Sequence, residues 1–261
     1  MVYSLKDRRY DPALLGLFGI EERELPPLAE AADAAGRLTS QGAALTGLPA
    51  GIPVAVGTGD DFSTTLGAGV VDPGPVVVVL GTGEVVGTIH PQATINQEGL
   101  VETHAYPGGQ YHLGDPGWLC GGAVRWASAL LSVAADAEFS SLAEAAPAGC
   151  DGLTFMPALS GAMAPKWIAE ARGSFIGLTP SHGRAHLARA VLEGTALAMR
   201  DVVDRLTALG VDTSRFRLLS GGARSRVWAE IRAGRLGRPV EVAALSDSSP
   251  LVAGLLAAVA A

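Results

Sequence analysis

Residues 52–90 read IPVAVGTGDDFSTTLGAGVVDPGPVVVVLGTGEVVGTIH, and two glycine-rich turns each interrupt an apolar run within them. Ile52 to Val56 is short, apolar and followed by Gly57, Thr58 and Gly59, which reads as a buried strand entering a tight turn. Asp60 stands where a helix would begin, and Phe62 to Leu66 are apolar enough to pack that helix. The first amides of a helix favour a carboxylate or phosphate nearby. Val76 to Leu80 and Val85 to Ile89 flank Gly81, Thr82, Gly83 and Glu84, the pattern of a hairpin whose glycine turn can aim amides at an anion. A base for an acceptor hydroxyl and donors for a phosphate are two parts that phosphoryl transfer requires. Glycine turns also serve as plain turns, and Asp at a strand-to-helix turn also serves as a cap.

Composition narrows the field. The 261 residues suffice for one large or two modest cores, and 48% hydrophobic against 17% charged residues excludes a disordered chain. Nineteen Lys and Arg against 26 Asp and Glu give a net charge of −7 with no basic block, so no nucleic-acid partner is expected. Cys120 and Cys150 are too few for a disulfide scaffold and lack metal-ligand spacing, which makes a reducing cytoplasm the expected compartment. The opening MVYSLKDRRYDP has no apolar signal core, and no apolar run reaches membrane-spanning length.

Taken in order, Asp11 caps a helix starting at Pro12 and ending at Gly19, Glu24 to Arg37 reads as a surface segment, and Thr39 caps a helix closed by Gly47. The turn at Val71 to Gly74 is taken as a boundary between residues 1–72 and 73–261. Beyond the hairpin, strands are expected at Leu100 to Tyr106, Gln110 to Leu113, Leu153 to Leu159 and Ser174 to Leu178. Residues 121–134 and 138–146 carry helical spacing, and Arg184 to Leu209 reads as the longest helix, with Arg189–Glu193 and Asp201–Arg205 able to pair. A strand from Phe216 enters Ser220, Gly221 and Gly222, then come a helix to Leu236, a strand at Val240 to Ala243 and an apolar terminal helix from Ser249 that would cover a sheet. Strand, glycine turn and helix in repetition is α/β architecture. His182 and His186 stand four apart without the Glu of a zinc hydrolase motif, the four Trp suit packing, and no G-x-S-x-G occurs.

GTGDD, LGAGVVDPG and LGTGEVV in that order resemble the junction between the two lobes of the FGGY family of carbohydrate kinases. SGGARSRVWAEIRAGRLGRPVEV resembles that family's adenosine motif, and ARGSFIGLTPSHGRAHLARAVLEG the segment before it. ETHAYPGGQYHLGDPGWLCGGAVRW is most similar to the xylulose kinases within the family. The resemblance implies actin-like, ribonuclease-H-like lobes with a mixed sheet, flanking helices and the nucleotide between them. Residues 1–72 would be the end of the first lobe and 73–261 the nucleotide-binding lobe.

By the same resemblance Asp60 is the general base, and Asp61, where Gln or Asn is usual, is a second substrate or metal contact or a rival for the base. Gly81, Thr82 and Gly83 form the ATP phosphate loop, with Gly83 in place of a usual Ser and Glu84 adding negative charge near the phosphates. Ser220, Gly221, Gly222, Ala223 and Ser225 form the adenosine-binding motif, Ser220 replacing a usual Gly. ATP and Mg²⁺ are implied without a dedicated metal-ligand set, as is phosphorylation of a hydroxyl of a ketose such as xylulose, with no membrane partner. The family's Asp-Ile-Gly-Thr phosphate loop has no counterpart here, so the polypeptide alone is expected to bind nucleotide weakly if at all and to turn over no sugar. The alternative is a non-catalytic remnant or nucleotide-binding regulatory module whose exposed face takes a partner or a second copy as a homodimer. An actin-like ATPase without a sugar substrate is disfavoured by the form of Asp60 and its surroundings.

Overall fold

The computed structural model describes residues 2–98, 101–244 and 249–260. In the first part, β1 (Tyr3–Ser4) pairs antiparallel with β2 (Arg9–Tyr10) and leads into α1 (Pro12–Phe18). Asp11 caps α1, its Oδ1 accepting from the amides of Ala13 at 2.8 Å and Leu14 at 3.1 Å, and Gly19 closes it at φ 67°. β3 (Ala34–Arg37) lies within the expected surface segment and pairs antiparallel with β4 (Pro53–Ala55), with α2 (Ser40–Thr46) between them. β4 is not the buried strand expected: Val54 is 40% and Val56 45% exposed. Among the described residues its sheet holds two strands, which leaves much of the strand uncovered. α3 (Asp60–Gly67) follows.

The second part is built on a six-stranded mixed sheet. Its strands are β5 (Val76–Leu80), β6 (Gly83–His90), β7 (Glu102–Tyr106), β8 (Gln110–Leu119), β11 (Phe216–Leu219) and β12 (Val240–Val242), in the order β12-β11-β5-β6-β8-β7. β12, β11 and β5 run parallel, and from β5 outward the pairing is antiparallel. Around it come α4 (Gly121–Leu130), α5 (Asp136–Glu144), the hairpin of β9 (Thr154–Met156) and β10 (Ser174–Ile176), α6 (Arg184–Ala208), α7 (Arg226–Leu236) and α8 (Ser249–Val259).

Period-two alternation explains why both sheet faces are apolar. Val76, Val78, Leu80, Val86 and Leu113 join the main core with α4 to α7. Val77, Ile89 and Leu219 face the other way, onto Val70, Tyr106 and the α3 side chains Phe62 and Leu66. The terminal α8 packs on α3 and β4, its Val252 and Leu256 beside Ala31.

β8 runs to Leu119, six residues past its expected end, through Asp115, Pro116 and Gly117. Pro116 sits opposite Val85 beside a register shift between Gly83 and Val85, where the ladder tolerates a missing amide. The strand expected from Leu100 begins at Glu102, Leu100 lying outside the described residues. On α6 the Arg189–Glu193 pair forms at 2.8 Å, whereas Arg205 turns to Glu98 at 2.8 Å and Asp201 lies 3.8 Å from Lys166. Exposed pairs of this kind are weak enough for tertiary partners to redirect them. Among the described residues no helix is long and apolar enough to cross a membrane.

Candidate functional site

β5 and β11 are parallel neighbours, with Val79 opposite Leu219, so the turns that follow them leave the sheet side by side. Between these turns lies a cavity of about 500 Å³, lined by Gly81 and Thr82 from one and Ser220, Gly221, Gly222 and Ser225 from the other. α4 contributes Gly121 and Arg125, α5 Asp136 and Ser140, and α7 Trp228. Six residues singled out from sequence are thereby gathered in one place. Gly83 opens β6 opposite Leu119 and Ala223 is buried, and neither lines the cavity.

The turns are held by backbone. The amides at the start of α4 cap the first turn: Cys120 and Gly122 donate to Thr82 O at 3.0 and 2.9 Å, and Gly121 donates to Gly81 O at 2.9 Å. A trans peptide carries its N–H opposite its C=O, so these bonds leave the amides of Thr82 and Gly83 on the far side of the turn. A Cβ at Gly121 would sit 2.5 Å from Gly81 O, and one at Gly222 would meet Leu80 Cβ at 2.8 Å, so both glycines serve close approach. Ser220 holds φ 73° and ψ −175°, a region that favours glycine and strains a serine.

Side chains finish the lining. Arg125 donates from Nη2 to Thr82 Oγ1 at 2.8 Å, and the hydroxyls of Ser140 and Ser225 bond at 2.9 Å. Gly121, Gly122 and Arg125 were not singled out from sequence, although Gly-Gly between a strand and a helix repeats the grammar of the second turn.

Asp60 is the first residue of α3 and is exposed, and Gly59 rather than Asp60 occupies the cap position. Asp60 does not line the cavity; Asp61 shares the first turn of α3, and its side chain is outside the described residues. α3 is tied to the sheet through Tyr106, whose hydroxyl donates to Val70 O at 3.3 Å, and through Phe62, 5.6 Å from the ring of His112. Burial, together with nearby His104, lowers the pKa of His112 to about 4, so this imidazole is neutral in the fold.

Glu84 does not bring its charge to the phosphate turn as expected. The alternation of β6 turns it inward, where it is 3% exposed and 2.6 Å from Arg232, which is fully buried. Burial pushes its carboxyl up while Arg232 pulls against that shift. Trp118 and Trp228 pack as expected, donating to Ala164 O at 2.7 Å and to Thr195 Oγ1 at 3.1 Å, and Trp126 stacks on Phe155 and Phe175, whereas Trp167 is 41% exposed. His186 accepts from the amide of Gly183 at 3.2 Å at the start of α6, and among the described residues no group of three metal-ligating side chains occurs.

The model of the FGGY family of carbohydrate kinases, C-terminal domain, matches residues 76–261, and that of its N-terminal domain matches residues 1–67. The chain belongs to the FGGY family of carbohydrate kinases. It is 31% identical over 264 residues to the xylulose kinase of Escherichia coli (strain K12), covering 100% of this chain and 54% of that protein. It is 32% identical over 267 residues to a glycerol kinase of Geobacter sp. (strain M21), covering 100% and 53%. The crystal structure of xylulose kinase from Rhodospirillum rubrum superposes with a TM-score of 0.87 at 34% identity, over 98% of this chain and 52% of that one. The FGGY chain thus has the actin-like ATPase fold, a mixed sheet with flanking helices, and spans about half the length of the curated relatives it matches.

Proposed function

We propose that residues 73–261 are the nucleotide-binding lobe of an ATP-dependent sugar kinase and that residues 1–72 are the end of the lobe before it. One observation carries this reading: a single cavity gathers both glycine turns. Its volume of about 500 Å³ suits a small molecule. ATP fits the lining. The amide of Thr82 and the guanidinium of Arg125 would meet phosphate oxygens, and the bare backbone of Gly221 and Gly222 lets adenosine lie close, with Ala223 supporting the turn.

Asp60 would take the proton of the acceptor hydroxyl as the new phosphate bond forms, a contribution of about 10² to 10⁴ in rate. Asp61 would contact the sugar or a metal ion. Mg²⁺, when bound with ATP, neutralises phosphate charge. With no cluster of three metal-ligating side chains among the described residues, the phosphates themselves would supply most of its ligands. The acceptor is a ketose such as xylulose, and the kinship with a glycerol kinase widens the class to small polyols. A cytoplasmic site of action fits Cys120 and Cys150, both free and buried.

A second reading is a nucleotide-binding module without turnover. Exposed Leu17, Phe18, Leu45 and Val54 favour it, since a partner or a second copy would cover them. Sugar-dependent ADP release over a panel of pentuloses and polyols separates the two. Release is expected when an amino-terminal kinase lobe precedes residue 1, falling about a hundredfold or more in Asp60→Asn. ATP binding with no release in that longer chain would leave the module.

A further inference from the structure

A carboxylate and a guanidinium are buried together directly beneath the two glycine turns. Glu84 lies opposite Leu80 in the β5–β6 hairpin, and Arg232 lies one helical turn beyond Trp228 on α7. Glu84 Oε2 is 2.6 Å from Arg232 Nη2, and the two residues are 3% and 0% exposed. The same guanidinium reaches Cys120 Sγ at 3.3 Å and Met199 Sδ at 2.8 Å and stacks 5.1 Å from the Trp228 ring. Gly117 makes room for the acid, since a Cβ there would lie 3.0 Å from Glu84 Cβ.

Each neighbour leads to the cavity. Cys120 gives its amide to Thr82 O, Trp228 lines the cavity wall, and Glu84 is two residues past Thr82. Stability alone gives a poor account of this pair, because desolvation offsets most of the attraction between buried charges and an apolar pair of similar volume serves a core as well. A guanidinium supplies what an apolar pair lacks, hydrogen bonds at fixed bearings to several groups at once.

We propose that Glu84 and Arg232 are positioning residues that fix the phosphate turn relative to α7 and thereby set nucleotide affinity; this rests on the nucleotide reading of the cavity. Neither residue touches the nucleotide. Both act through the turn, through Cys120 and through Trp228.

ATP titration and urea unfolding test it, both on this chain preceded by an amino-terminal kinase lobe. Glu84→Gln and Arg232→Met each strand a buried partner and lower the unfolding midpoint. Combining Glu84→Met with Arg232→Met removes both charges and restores the midpoint, yet ATP affinity is expected to stay about tenfold or more below wild type. A core-filling role alone would return affinity together with stability, so wild-type affinity in that double variant overturns the proposal. Should the double variant not regain its midpoint, Arg232→Lys decides. It keeps a charge beside Glu84 without the fork that spans Cys120 and Met199, and wild-type affinity in a folded Lys variant overturns the proposal equally. A folded wild-type chain that binds no ATP at millimolar concentration removes the nucleotide reading itself, a different pattern from equal binding by wild type and variants.

Discussion

Residues 2–67 and 76–244 differ in how they use apolar side chains. In the first stretch Leu15 and Ala31 are the buried apolar residues, while Leu17 and Leu45 are 75% and 82% exposed. In the second, β5 alone buries Val76, Val77, Val78 and Leu80, with helices on one face and α3 on the other. The cavity proposed for nucleotide is thus framed by elements with little freedom to shift, whereas Asp60, the proposed base, heads a helix at the edge of the looser stretch. Under the proposed reading the two stretches would divide the work, a rigid seat for phosphate and a base whose approach can change.

The largest test of that contrast is core truncation. Phe139→Ala, at 1% exposure, should cost about 3–5 kcal/mol in urea unfolding, and Leu45→Ala should stay within about 0.5 kcal/mol. Comparable losses at the two positions would erase the distinction.

The seam between the stretches should answer to pH through His112, which is held neutral against Phe62 and Tyr106. The unfolded chain takes up this proton near pH 6.5 and the fold resists until about pH 4, so stability present above 6.5 is lost as pH falls through that window. The full loss is about 3 kcal/mol. Urea midpoints at pH 7 and pH 5, compared with those of His112→Phe, measure it; an unchanged pH dependence in the variant would detach the seam from this residue.

The smallest expected effect lies in the rigid stretch itself. Ser220→Gly relieves a strained φ of 73° at the price of a more flexible unfolded chain, for a net gain of about 1 kcal/mol. A loss in thermal melting would mean that the serine side chain, not the backbone, holds the turn.

Much of this was legible in sequence where local chemistry decides the outcome. Asp11 and Gly19 bound α1, the β-branched runs around Gly81 make a hairpin, and Ser220 to Ser225 follow a strand. What escaped depended on partners far away in the chain. Glu84 reads as a charge beside the phosphate turn until Arg232, from another element, meets it in the core. The strand expected to end at Leu113 runs on to Leu119 because β6 pairs with it, and β4 reads as buried until its two-stranded sheet leaves Val54 open. Arg125 carried no signal, because a lone Arg on a helix is ordinary without knowledge of the turn it faces.

The parallel pairing of Val79 with Leu219 also has a temporal meaning. These strands are about 140 residues apart in sequence, and such distant partners close late because loop entropy opposes them. On the ribosome the hairpin at Gly81 emerges early but has no opposite wall until β11 and α7 have been synthesised. Under the proposed reading, nucleotide would come too late to guide the early collapse of this chain and would instead select molecules whose last strands have already docked.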